Sequence, residues 1–179
     1  LGKHGFYSKV ATRNLMKNLK KINPDIVHLH NIHGHYINIE ILFDYLVTNN
    51  KNVVWTLHDC WSFTGHCAYF EYNKCEKWKN LCYKCPALKD YPKSLIFDRS
   101  KESYLDKKRI FTSLENLTLI TPSKWLASQV NQSFLRDKSV SVINNGIDLE
   151  LFKPMANKKI REKYNIENKF LILGVASYW

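Results

Sequence analysis

An apolar run, Val53 to Leu57, stops abruptly at His58 and Asp59, and a loop containing Gly65 follows. A histidine in that position can hydrogen-bond a sugar hydroxyl or a phosphate and can change charge near neutrality. Open α/β sheets bind their ligands in the crevice at the carboxyl ends of the strands. A structural histidine bonded to a backbone carbonyl is the bland alternative. A position between a strand and a glycine-containing loop favours function, because loops on a rigid scaffold carry most binding groups. His58 is therefore the candidate catalytic residue, with Asp59 beside it. His30 and Asn31 close a second short apolar run and are expected to line the same crevice. Trp61, just past the His-Asp pair, is expected to face it too. Trp55, Tyr69, Phe70, Tyr72 and Trp78 read as packing.

Cys67, Cys75, Cys82 and Cys85 are spaced C-x7-C-x6-C-x2-C. The terminal C-x2-C pair is a recurrent zinc-binding knuckle, and clustered cysteines in a reducing compartment favour metal over disulfides. Structural zinc on these four, disulfides and unligated thiols all fit the spacing, and His66 can replace one cysteine as ligand. Cys60 reads as packing beside the strand. His28, His30, His33 and His35 resemble a metal cluster in type, but their spacing gives no reason for three of them to converge tetrahedrally.

The elements that must position these groups follow from periodicity. Helices are predicted over Thr12–Lys21, Ile37–Val47, Asp98–Leu114, the segment carrying Leu126, Val130 and Phe134, and Asn157–Tyr164. Thr121 is the expected cap of the fourth, with Pro122 at its first position. Strands are predicted over Asp25–His30, Val53–Leu57, Leu117–Thr121, Val140–Ile143 and Phe170–Ala176. Strands alternating with helices predict an α/β fold built of βαβ units, with a parallel sheet covered on both faces. Residues 60–95 show no periodicity and form a cysteine-rich insertion. The turn Asn145-Gly146-Ile147-Asp148 reads as an interdomain crossing, its glycine allowing an unusual backbone turn. It divides the chain into residues 1–148 and 149–179.

With 45% hydrophobic residues the chain can bury a sizeable core, which excludes wholesale disorder. No run approaches the ~20 apolar residues of a membrane span. The net charge of +11 fits a solvated basic surface, an anionic membrane, or anionic substrates such as nucleotides. Lys17, Lys20, Lys21, Lys107 and Lys108 read as part of that surface. Leu1 opens the chain and Trp179 closes it directly after an apolar run, so the chain is expected to be a fragment.

Several segments occur in a recognisable order: Pro24-Asp25-Ile26-Val27-His28-Leu29-His30-Asn31, Trp55-Thr56-Leu57-His58-Asp59, Thr64-Gly65-His66-Cys67 with its cysteine train, Thr121-Pro122-Ser123-Lys124-Trp125-Leu126, Val142-Ile143-Asn144-Asn145-Gly146-Ile147-Asp148, and Phe152-Lys153-Pro154. Together they resemble the N-terminal half of a family 4 retaining glycosyltransferase of bacterial capsule, exopolysaccharide or lipopolysaccharide assembly. The resemblance implies a GT-B architecture. An incomplete N-terminal Rossmann-like domain would face the acceptor, and the first elements of a C-terminal domain would begin the donor-binding lobe. It implies a UDP- or GDP-sugar donor, a saccharide or lipid-linked acceptor, no metal or other cofactor for catalysis, and a cytoplasmic protein that can touch the inner membrane face. By the same likeness His58 sits near the transferred sugar. Asp59, Trp61, Gly65, His30, Asn31, Asn145 and Gly146 are expected to bind substrate. The glycine-rich loop that family members carry after their first strand is absent, and the donor-binding Arg/Lys pair and E-x7-E motif would lie beyond Trp179. The fragment is therefore expected to be inactive alone.

The alternative from composition is a basic zinc-knuckle module that binds nucleic acid. Basic residues spread over several helices argue against it, and nucleic acid is not an expected partner.

Overall fold

The structure, a computed structural model, describes residues 2–94, 96–154 and 158–175. The chain forms two compact units, 1–145 and 146–179.

The first unit is built on four parallel strands, β1 (Ile26–Leu29), β2 (Asn52–Thr56), β3 (Leu117–Thr121) and β4 (Ser139–Val142), lying side by side in chain order. Helix α1 (Lys9–Ile22) precedes β1, and α2 (Ile39–Thr48), α3 (Ser100–Thr112) and α4 (Lys124–Val130) make the crossovers. Sequential right-handed crossovers carry their helices to one face of a sheet. Val27, Leu29, Val53, Trp55, Leu117 and Leu119 are buried on that face. Phe43 of α2 and Phe111 of α3 meet the Trp55 ring at centroid distances of 6.0 and 4.8 Å. The opposite face differs from expectation. Ile26 and His28 on it are exposed, and Val54, Thr118 and Ile120 are half-buried. The strands therefore alternate in burial, where a sheet covered on both sides reads as continuous apolar runs.

Caps set the helix ends. Asn23 closes α1 in the left-handed conformation (φ 50°), its N–H donating to the Leu19 carbonyl, as asparagine tolerates at that site. Lys51 Nζ then donates to Asn23 Oδ1 (2.7 Å) and the Pro24 carbonyl (3.0 Å), tying the end of α1 to the start of β2. Asn38 caps α2 by accepting from Ile41 N–H (3.1 Å), so the helix starts two residues later than periodicity predicts. Ser123, not Thr121, caps α4: its Oγ accepts from Leu126 N–H at 3.2 Å. Pro122 therefore precedes the helix, and Phe134 lies beyond its end.

Between β2 and α3 the cysteine-containing segment is mostly turns, with two single 3-10 turns at Trp61–Phe63 and Lys77–Lys79. Its core is aromatic: the buried Trp78 ring stacks on Phe70 (4.8 Å) and tilts against Phe63 (5.4 Å).

The second unit contains a turn in which Asp148 Oδ1 accepts from Glu150 and Leu151 N–H, and helix α5 (Lys158–Lys163). Asn157, the predicted helix start, lies outside the described residues. Residues 170–175 form no strand, and Phe170, Ile172 and Val175 are almost fully exposed. A strand needs a neighbour to satisfy its backbone groups, and none is paired with this segment among the described residues. Ala176 lies outside them. Gly146 adopts no left-handed conformation and a Cβ there meets open space, so the expected glycine-specific turn is not required.

Candidate active site

Strands β1 and β2 run in parallel register, with Leu29 opposite Trp55. Their carboxyl ends therefore deliver His30 and His58 to the same edge, where both are exposed. Nδ1 of His30 and Nε2 of His58 are 3.0 Å apart, a hydrogen bond between two imidazoles. The buried indole of Trp55 donates from Nε1 to the His30 carbonyl at 2.9 Å and anchors that backbone. On the open face of the sheet the His28 ring lies 4.4 Å from His30, and its Nε2 is 2.9 Å from Thr56 Oγ1. Asn31 is exposed beside them, its carbonyl accepting from the Tyr36 hydroxyl.

Asp59 turns the other way. Its Oδ1 accepts from Trp61 N–H at 2.8 Å, capping the 3-10 turn, and Oδ2 lies 3.5 Å from His33 Nε2. Burial lowers the His33 pKa below the ordinary imidazole range. Asp59 works against that shift and Lys107 reinforces it. His33 thus faces Asp59 as a neutral ring at neutral pH, and their contact is not a full ion pair.

Trp61 lines the hollow beside His58 from within the core. It is 2% exposed, against His33 and Phe111, with Gly5 packed close to its ring edge. Beneath it lies Lys107, fully buried, whose Nζ donates to the Trp61 carbonyl at 2.6 Å and sits 3.9 Å from the ring centroid. Lys107 therefore belongs to the interior, not to the basic surface. Its spacing held the signal: Tyr104, Lys107 and Phe111 recur at three and four residues, which places the lysine on the buried stripe of α3.

Gly65 is also interior. A Cβ there would meet the Ser100 carbonyl and stand 2.6 Å from Cys82 Cβ, so its small size serves packing rather than ligand approach. Asn145 is exposed beyond β4 and shares no hydrogen bond with His58. Gly146 belongs to the second unit. Of the expected substrate-binding residues, the first unit thus brings His30, Asn31, Asp59 and Trp61 to the hollow beside His58.

The hollow these residues line, with Trp61 at its back, measures about 10 Å³, room for a single water. A larger cavity of about 370 Å³ lies between the N-terminal segment, α2 and α3, lined by Phe6, Asn38, Glu40, Arg99 and Glu102. It holds none of the strand-end residues. The site is placed at the His58 edge because paired imidazoles converge there at the carboxyl ends of parallel strands.

Among the described residues no three His, Cys, Asp or Glu side chains are arranged to hold a metal. All five cysteines are free thiols. Cys82 Sγ accepts from Gly65 N–H at 3.2 Å. A hydrogen bond with Cys67, then burial, pushes the Cys85 thiol far up. Burial holds Cys60 at about 12 and Cys82 at about 11.

Residues 2–151 match the profile of Glycosyltransferase Family 4. The chain belongs to this family. Over 133 residues it is 38% identical to WcaC of Escherichia coli (strain K12), which carries the name colanic acid biosynthesis glycosyl transferase. The match covers 70% of this chain and 32% of that protein, so the chain spans about a third of the relative's length. No solved structure matches. Family membership and the parallel α/β sheet agree with the fold class read from the sequence. No helix among the described residues is long and apolar enough to cross a membrane.

Proposed function

We propose that this chain is the acceptor-side part of a retaining glycosyltransferase of cell-surface polysaccharide assembly. It moves a sugar from a UDP- or GDP-sugar to a saccharide or lipid-linked acceptor on the cytoplasmic side of the inner membrane. One observation carries this reading: His58 is exposed at the carboxyl end of β2 and held there by His30. That edge is where a parallel sheet meets its ligands. His58 contacts a hydroxyl of the transferred sugar. Donor phosphates are met by a partner lobe through positive charge and helix N-termini, and the chain alone is inactive.

The test is transfer by the full-length protein from a panel of UDP- and GDP-sugars, with product anomeric configuration read by NMR. His58→Ala should lower kcat by about 100-fold or more while leaving the circular dichroism spectrum intact. Undiminished transfer overturns the reading. So does transfer by residues 1–179 alone for the claim of inactivity.

Membrane contact has its own support. Helix α1 exposes Lys9, Arg13, Lys17, Lys20 and Lys21 together with Val10 and Ile22, which are 71% and 72% exposed. Cations interleaved with apolar groups suit an anionic lipid surface. Flotation should recover the protein with anionic vesicles and not with neutral ones. Triple Lys17, Lys20 and Lys21→Gln replacement should abolish recovery, and equal recovery with both vesicles refutes the contact.

A further inference from the structure

We propose that His30 is a positioning residue that holds His58 in one tautomer, with the proton on Nε2. His58 then turns a bare Nδ1 lone pair toward its ligand and accepts a hydrogen bond from a saccharide hydroxyl.

The argument starts from the proton count. A hydrogen bond between two neutral imidazole nitrogens holds one proton: one nitrogen donates and the other accepts. Between His30 Nδ1 and His58 Nε2 (3.0 Å) there are two arrangements. In one, His30 Nδ1–H donates and His58 carries its own proton on Nδ1. In the other, His58 Nε2–H donates to a bare His30 Nδ1, and His30 carries its proton on Nε2. A neutral histidine side chain in water prefers the proton on Nε2. The first arrangement forces both rings into the less favoured form, and the second leaves both in the favoured one. The second is therefore the ground state.

His30 is built to hold this arrangement before any ligand arrives. Its carbonyl is fixed by the buried Trp55 indole at 2.9 Å, and its ring is backed by His28 at 4.4 Å. His28 is in turn fixed on Thr56 Oγ1 at 2.9 Å. His30 and His58 follow the ends of adjacent strands whose register the sheet sets. His58 Nδ1 has no hydrogen-bond partner among the described residues, and the side chain is exposed. An acceptor presented from a fixed ring selects a donor, and a sugar hydroxyl supplies one. Naming the ligand as a saccharide rests on the proposed function. The tautomer and its control by His30 do not.

The experiment is nitrogen-15 NMR of histidine-labelled chain at about pH 8.5, above the ordinary imidazole range. Wild type should show His58 protonated at Nε2, with a coupling across the hydrogen bond to His30 Nδ1. His30→Asn, whose Oδ1 can stand in for Nδ1 as acceptor, should keep His58 protonated at Nε2, without the nitrogen–nitrogen coupling. His30→Leu should lose the coupling and average the two His58 tautomers toward the solution mixture. His58 found protonated at Nδ1 in wild type overturns the proposal, whether or not the variants fold. An unchanged His58 signature in His30→Leu overturns the positioning role. No turnover enters these readouts. A full-length enzyme that ignores His58→Ala, with the tautomer as stated, counts against the proposed function alone.

Discussion

Lys107 and Trp61 form one buried unit: the ammonium donates to the backbone carbonyl of the residue whose indole it also faces, at 2.6 Å and 3.9 Å. The turn that follows His58 and Asp59 is thus fastened from below by a cation on α3. Cation–π attraction strengthens when the pair is desolvated, but the lysine is also taken fully out of water.

That burial has a pH signature. It lowers the Lys107 pKa to about 7, with the Cys82, Cys67 and Asp59 charges opposing the shift. An unfolded lysine keeps its proton to about 10.4. Between those values the unfolded chain binds more protons, so stability must rise with pH. Below about 7 both states are charged and the slope vanishes. From about pH 7 to pH 9.5 the gain is on the order of 3 kcal/mol at most. The buried thiols of Cys60 and Cys82 pull the other way above about pH 8.5, where unfolded cysteines ionise. Comparing wild type with Lys107→Met cancels their effect. Urea unfolding at the two pH values should show wild type gaining about that amount relative to the variant. Equal slopes would place the amine in water.

Asp59 is expected to act through its cap and its charge separately. Asp59→Ala should cost about 1 kcal/mol by freeing Trp61 N–H, whereas Asp59→Asn should retain the cap. The charge is read at His33, whose pKa the carboxylate raises against burial. Proton titration of His33 by NMR should move further down in Asp59→Asn. An unmoved or raised His33 titration would mean that the 3.5 Å approach carries no electrostatic coupling.

Gly65 marks where the insertion closes on α3. An added methyl meets the Ser100 carbonyl and Cys82 Cβ, neither of which is the free end of a flexible chain. Gly65→Ala should therefore destabilise by about 3 kcal/mol, the upper range for overpacking. Thermal melts measure it, and an unchanged Tm would show that the turn can move off α3 freely.

Sequence periodicity carried the scaffold well where one face is buried and local signals agree. β3 is found at its predicted bounds, and each bound of the other first-unit strands shifts by one residue. The misses are non-local. That Trp61 backs the hollow while its ring faces a buried ammonium is something its place next to a strand end does not reveal. The Phe170–Ala176 run has strand composition but no paired neighbour over its described part. That His30 and His58 share an edge was legible from two strand ends. That they bond ring to ring depends on the β1–β2 register, which no local signal specifies. The left-behind clue was Lys107, whose helical spacing contradicted its reading as surface.

The cysteine module yields a chemical prediction that separates free thiols from a metal centre. Cys75 and Cys85 are half-buried, whereas Cys60, Cys67 and Cys82 are 1%, 6% and 8% exposed. Thiolates, not thiols, react with alkylating agents, and the raised Cys60, Cys82 and Cys85 pKa values hold those three as thiols at neutral pH. Brief iodoacetamide treatment of the native chain, read by peptide mass spectrometry, should label Cys75 first and leave Cys60 and Cys82 unmodified until denaturant is added. EDTA should not change the pattern. A zinc ion shared by Cys67, Cys75, Cys82 and Cys85 would instead protect all four together and expose them together on chelation. Protection of Cys75 that EDTA relieves therefore decides for metal, and early labelling of Cys75 decides for the thiol arrangement seen in the structure.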